Sequence, residues 1–210
     1  MTLRPLTISL SFFSLLTGLL TISLVPINAI SADERSTNVM DNSVIIDDRS
    51  KPGMHASMGA EWRLVTDNVM GGLSEGTLTP HHHQGRDCLR MQGNVTTENN
   101  GGFVQMALAL ADDVFDASAY DGVEIEVSGN GELYNIHLRT DDLWFPWQSY
   151  RSSFTAGTHW QTYRIPFAEL QKYKTFTRFD KKQLTRIGLV AIGRDFEADL
   201  CLASIRFYNE

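Results

Sequence analysis

The chain has 210 residues, a formal net charge of −7, 42% hydrophobic and 20% charged residues, six histidines and two cysteines. That is about one domain's worth of globular protein, too apolar to be disordered and too acidic for a binder that works by neutralising nucleic-acid phosphates. Two cysteines are too few for a cysteine-rich scaffold or a four-thiolate zinc site.

Residues 1–32 read as an export signal. Arg4 is their only charged side chain, Leu6 to Val25 is an uncharged and largely apolar run, and Ala29 and Ala32 close two cleavage sites ahead of Asp33-Glu34-Arg35. The run is just long enough to span a bilayer, but seven of its twenty residues are Ser or Thr, which argues against a permanent anchor. The expectation is an exported protein, periplasmic or extracellular, that touches membrane only through residues 6–25 if the segment stays uncleaved. Losing Arg4 leaves 17 basic against 25 acidic residues, a charge of −8. Residues 33–58 are polar, contain Pro52 and Gly53 and hold one apolar patch, Val44-Ile45-Ile46, so they read as a linker or loosely docked arm. The folded domain then spans 59–210.

From Trp62 onward, short alternating segments are punctuated by Gly, Asn and Asp. Val123, Ile125 and Val127 alternate with Glu124, Glu126 and Ser128; Ile136 and Leu138 with Asn135, His137 and Arg139; Tyr163, Ile165 and Phe167 with Thr162, Arg164 and Pro166. Ile187–Ile192 is a buried-strand run, and Leu200, Leu202, Ile205 and Phe207 mark a last strand. This period-two pattern predicts an all-β, antiparallel sandwich or barrel, with short helices only near Asp112–Ser118 and Phe167–Tyr173.

Gly129-Asn130-Gly131 is the strongest hairpin signal, because Asn-Gly supplies two positive-φ residues for a tight turn. That hairpin would set Glu124 opposite His137, so one outer surface would carry Glu124, Glu126, Asn135, His137 and Arg139. Trp147, Ser149 and Arg151 share one parity of the next strand, and Leu143-Trp144-Phe145-Pro146-Trp147 would cap the surface. Glu124, His137, Arg139, Trp144, Trp147 and Arg151 are therefore the candidate binding residues, the alternative being a solvated sheet face beside a self-packed aromatic loop.

The segment Trp62-Arg63-Leu64-Val65-Thr66-Asp67-Asn68-Val69-Met70-Gly71-Gly72-Leu73-Ser74-Glu75-Gly76, followed by Asn99-Asn100-Gly101-Gly102-Phe103, resembles the complex I intermediate-associated protein 30 family. The resemblance continues through Tyr120-Asp121-Gly122, Tyr150–Phe154, Trp160-Gln161, Ile165-Pro166-Phe167 and Ile187-Gly188-Leu189, covering nearly all of 60–210 in order. It implies a galactose-binding-like jelly-roll sandwich and a non-catalytic assembly chaperone of a respiratory complex. Val104-Gln105-Met106-Ala107 departs from the family pattern, which often has an Arg soon after Gly-Gly-Phe. In jelly rolls of this type the strand after the first motif lies beside the last strand, so Cys88 and Cys201, both pointing away from the core by parity, would meet in a disulfide that suits an oxidising compartment.

His-Glu-x-x-His, Gly-x-Ser-x-Gly and phosphate-loop motifs are absent from the sequence. His81-His82-His83 reads as a solvated turn beside Pro80 and Gly85 rather than a metal site, and no cofactor is expected. Function thus reads as a non-enzymatic binding or assembly-type protein of the cell envelope that presents its jelly roll to a protein partner. The alternative is a carbohydrate-binding module with an aromatic-lined outer face; a hydrolase using Glu124, or aspartates such as Asp112-Asp113 and Asp141-Asp142, with His137 stands third.

Overall fold

A computed structural model of the chain describes residues 43–110 and 114–210. The sequence-predicted export segment and membrane run, and the Asp112-Asp113 pair, lie outside these residues. No helix among the described residues is long and apolar enough to cross a membrane.

Twelve strands follow one another: β1 (Val44–Asp47), β2 (Trp62–Thr66), β3 (Glu75–His83), β4 (Arg86–Val95), β5 (Phe103–Ala109), β6 (Gly122–Gly129), β7 (Glu132–Thr140), β8 (Ser149–Ala156), β9 (Gln161–Pro166), β10 (Gln171–Tyr173), β11 (Leu184–Ile192) and β12 (Phe196–Tyr208). They form two antiparallel sheets. The first runs β3-β4-β12-β6-β9 with β1 also on β12; the second runs β10-β8-β7-β11-β5-β2. The all-β jelly-roll sandwich expected from the alternation is the observed fold. Its core lies between the sheets, where Leu89, Met91, Ile125, Leu202 and Phe207 of the first meet Met106, Tyr134, Ile136, Leu138 and Leu189 of the second.

Three expectations are corrected. Asn130-Gly131 does not close a hairpin: β6 and β7 belong to different sheets. Gly131 has a positive φ of 87° but Asn130 does not, so the two-residue turn that keeps paired strands together is not formed. Instead the Asn130 side chain donates to the Glu197 carbonyl (2.7 Å) and accepts from the Tyr134 hydroxyl (2.7 Å), holding the chain as it crosses the sandwich. The tight hairpin sits at Gln84-Gly85, both at positive φ, and joins β3 to β4. His81, His82 and His83 therefore end a strand rather than occupy a loop. Pro80 is tolerated there because β3 is an edge strand that needs no amide donor on its open side.

The third correction concerns the polar arm. Over its described part, residues 43–58 are built into the sandwich. β1 pairs with β12, and Ile46 is fully buried. Asp47 is buried too, accepting from Trp62 Nε1 (2.7 Å) and pairing with the Arg49 guanidinium (2.7 Å). A single patch of three apolar residues looked like a weak signal because half of what fixes it is this buried ion pair. The predicted short helices are also reduced. Phe167–Glu169 is one 3-10 turn running into β10, and the described residues 114–118 hold only a bridge from Phe115 to Leu184.

Cys88 and Cys201 are joined, with Cα atoms 5.5 Å apart on the adjacent strands β4 and β12. Their neighbours Leu89, Met91, Leu200 and Leu202 point into the core, so the bridge lies on the outer side of the first sheet. It closes a loop of 113 residues, worth at most about 4.7 kcal/mol through the unfolded chain. Urea unfolding of the oxidised protein and of a Cys88→Ser/Cys201→Ser variant should therefore differ by roughly 2–4 kcal/mol in favour of the oxidised form.

Candidate binding face

Each sheet presents an outer surface, and the two differ in charge chemistry. On the first sheet every strand arginine is matched: Glu124 binds Arg164 and Arg206 (2.7 Å each), Glu126 pairs with Arg86, and Asp199 pairs with Arg90 (2.6 Å). On the second sheet the outward positions carry Arg63, Arg139, Arg151 and Arg186 and no carboxylate. Glu124 and His137 thus stand on opposite faces of the sandwich, because β6 and β7 do. The surface that would have combined them does not exist, and this acid–base pair for hydrolysis is separated by the whole core.

The second sheet does bring His137, Arg139 and Arg151 together. Strand register lines up Arg63, Ala107, Gly188, His137, Arg151 and Gln171 as one row across all six strands. At about 4.8 Å per strand this row is about 24 Å long. Its middle is floored by the small residues Ala107 and Gly188, and long polar side chains stand at both ends. A Cβ at Gly188 would collide with the Gln105 amide, which lies across it, so glycine is what lets Gln105 reach over the row. On the neighbouring row Asn135 accepts from Ser153 Oγ (2.9 Å).

His137 is the unusual group. Its Nε2 is buried without a hydrogen-bond partner among the described residues. Burial, with a smaller push from the Arg151 charge, lowers its pKa to about 4, so it is a neutral imidazole at physiological pH. Thr140 Oγ1 and Ser149 Oγ of the same sheet are likewise buried without a partner among the described residues, and such unsatisfied polar groups call for an explanation, a ligand being one.

Arg139 has a different role from the one its sequence position suggested. Its guanidinium donates to the carbonyls of Leu143 (3.1 Å), Phe145 (2.8 Å), Pro146 (2.9 Å) and Gln148 (2.5 Å). It therefore holds the 141–148 loop in shape rather than facing solvent. Burial and the nearby Arg186 charge lower its pKa to about 10, which leaves it charged. The loop it shapes exposes Trp144 (91%) and stacks Phe145 on Trp147 (centroids 4.8 Å apart) at the edge of the second sheet. The Gln148 side chain ties this loop to the Lys174 carbonyl (3.0 Å), beside Tyr173, on which Arg151 stacks at 3.9 Å.

The motif residues, by contrast, build the scaffold. Asp67 is fully buried and accepts from the Ser74 amide (2.9 Å), the Ser74 hydroxyl (2.5 Å) and the amides of Gly102 (2.5 Å) and Phe103 (3.1 Å). A Cβ on Gly72 or Gly101 would strike its carboxylate, so both glycines are sites of close approach. Asn68 donates to the Ser74 carbonyl (3.2 Å), Gly71 and Gly102 lie at positive φ, and Asn99 and Asn100 occupy the left-handed region that asparagine tolerates. Gly76 leaves room for Val104 across the core. Of the motif only Val69, Met70 and Leu73 turn large apolar side chains to solvent.

Residues 54–202, which hold both motifs, match the family model of the complex I intermediate-associated protein 30. The chain belongs to the complex I intermediate-associated protein 30 family. No curated protein matches it significantly. Among solved structures it is similar to the family 11 carbohydrate-binding module from Clostridium thermocellum in complex with a β-1,3-1,4-mixed-linked tetrasaccharide, at 12% identity and a TM-score of 0.63, covering 80% of this chain and 95% of that one. It is also similar to the family 30 carbohydrate-binding module of a cellulosomal cellulase of the same organism, at 22% identity and a TM-score of 0.53, covering 80% and 98%. At such identities the likeness is one of fold.

Residues that sequence reading missed on the face are Arg63, Gln105, Arg186 and Gly188. Parity alone marks Arg63 and Arg186 as outward, but nothing local says that β2 and β11 share a sheet with β7.

Two outcomes follow from these environments. Burial pushes the Asp67 pKa up, but the Gly102 amide and the Ser74 and Phe103 donors outweigh it and hold the carboxyl below its usual range. Its contribution is complete above the unfolded carboxylate value of about 3.9 and fades as pH falls through the lower folded value. Asp67→Asn should cost roughly 2–4 kcal/mol in urea unfolding at pH 7, with a smaller deficit near pH 3. For His137 the folded value is depressed, so stability is full above about 6.5 and declines as pH falls toward 4, by roughly 3 kcal/mol in total. NMR titration should show one imidazole still neutral at pH 5, and that resonance should vanish in His137→Gln.

Proposed function

We propose that this chain is a non-enzymatic binding module whose ligand face is the outer surface of the second sheet, and that the ligand is an extended carbohydrate. The observation that carries this reading is the cross-strand row from Arg63 to Gln171. It is small-floored in the middle, polar at both ends and contains His137, whose buried Nε2 lacks a partner among the described residues, with Trp144 and Trp147 at the sheet edge to stack on sugar rings. A long, shallow, polar row suits a polymer bound along its length better than a small molecule in a closed cavity. The disulfide agrees with an oxidising, exported location, periplasmic or extracellular.

A protein partner is the second reading. It is favoured by the Val69, Met70 and Leu73 side chains, exposed on a loop that the Asp67 carboxylate makes rigid. A preorganised apolar knob of this kind loses little entropy on association.

Affinity electrophoresis of the full chain through gels containing neutral and acidic polysaccharides separates the two. Retardation by at least one polymer is expected, weakened about fivefold or more by Gln105→Ala and Trp147→Ala, each removing one hydrogen bond or stacking surface. Unretarded migration in every gel, together with a specific protein captured by the wild type and lost with Val69→Asp, would replace this reading by the second.

A further inference from the structure

Resting on the carbohydrate reading, we infer that the polymer is acidic: the second-sheet face takes a polysaccharide bearing carboxylate or sulfate groups. The ground is an imbalance of charge. The chain carries a net −7, yet the outward positions of the six second-sheet strands hold four arginines and no acid. Arg139 is consumed by four loop carbonyls. The other three are uncommitted. Among the described residues, the side chains of Arg63, Arg151 and Arg186 form no ion pair or hydrogen bond; Arg151 only lies flat on Tyr173, which leaves its N–H edges free to donate.

The arrangement is not that of an ordinary solvated face. On the opposite sheet, arginines at equivalent outward positions are each answered by a carboxylate, as Arg164 and Arg206 are by Glu124. The acids on and flanking these strands are placed or paired elsewhere: Glu61 precedes β2 and pairs with His55 (3.2 Å), Glu132 at the start of β7 has the parity of the core residues and pairs with Arg194, and Asp141 and Asp142 lie on the loop beyond β7. Arg151 and Arg186 are partly buried guanidinium groups without counter-charges, which is costly, and Arg63 extends the same charge to the exposed edge of the sheet, so the face suits an anion supplied from outside. Their spacing is informative as well. Arg63 and Arg151 occupy the same row four strands apart, about 19 Å by strand spacing, and Arg186 stands on the adjoining row between them. A single small anion cannot touch all three. A chain with repeated acidic groups can, with Gln105 and His137 between them left to meet hydroxyls.

The test is affinity electrophoresis of the full chain with three probes: polygalacturonate, dextran sulfate and neutral mixed-linked β-glucan. The expected result is retardation by an acidic polymer and little by the glucan, with retardation falling as salt rises. Arg63→Gln, on an exposed edge strand, and Arg151→Gln should each weaken it about tenfold, whereas Arg164→Gln on the opposite face should leave it unchanged. Whether polygalacturonate or dextran sulfate is retained identifies the acidic group. Retention of the neutral glucan alone or equally with the acidic polymers, or a loss in Arg164→Gln as large as in Arg63→Gln, overturns the acidic assignment while the carbohydrate reading stands. Free migration with all three probes overturns both.

Discussion

The buried Asp67 carboxylate is the interaction on which the rest of the sandwich depends. One side chain gathers donors from the 67–74 loop and from the Gly101–Phe103 turn, so it fixes where the chain passes from β2 of the second sheet to β3 of the first and where β5 begins. Ionised groups are expensive to bury, and this one is tolerated because main-chain amides and a hydroxyl replace its water. The glycines around it follow from the same constraint, since any Cβ at Gly72 or Gly101 would occupy the carboxylate's space. A motif that reads as a signature of function is, in physical terms, an electrostatic rivet between two loops.

The proposed binding face is built by what that rivet leaves free. With β5 anchored at its start, β5 and β2 close one side of the second sheet, and β7 and β11 occupy its centre. The resulting surface collects side chains from parts of the chain more than a hundred residues apart, from Arg63 to Gln171. Neutral His137, the flat Arg151 and the overlying Gln105 owe their positions to cross-strand neighbours rather than to sequence neighbours. Arg139 contributes indirectly, by converting a flexible aromatic loop into a fixed rim.

Much of this was legible beforehand, and the misses have identifiable causes. Alternation identified which side chains of β6, β7, β8 and β12 face the core, because burial on one side imposes period two whatever the partner strand. Glu124 failed as a site residue for a different reason: parity says in or out but not which sheet. The Asn130-Gly131 dipeptide is compatible with a hairpin, yet the chain uses Asn130 at negative φ and spends its amide on Glu197 and Tyr134. The reverse held at Gln84-Gly85, where an unremarkable pair closes the true hairpin. The 43–58 segment looked detached because its anchor, Asp47 with Trp62 and Arg49, is polar and therefore invisible to hydrophobic patterning.

The sequence by itself determined the all-β class, the family and the inward and outward faces of most strands, since each rests on local periodicity or on a contiguous motif. The pairing of its two cysteines was an expectation from the fold resemblance that the adjacency of β4 and β12 bears out. Only the tertiary structure decided which outward faces belong together. That choice set Glu124 among arginines that neutralise it and left Arg63, Arg151 and Arg186 without acids on the other side. The reason is physical: sheet membership is settled by long-range pairing energy and by the crossing of the core between β6 and β7, and neither quantity is written in any short stretch of chain.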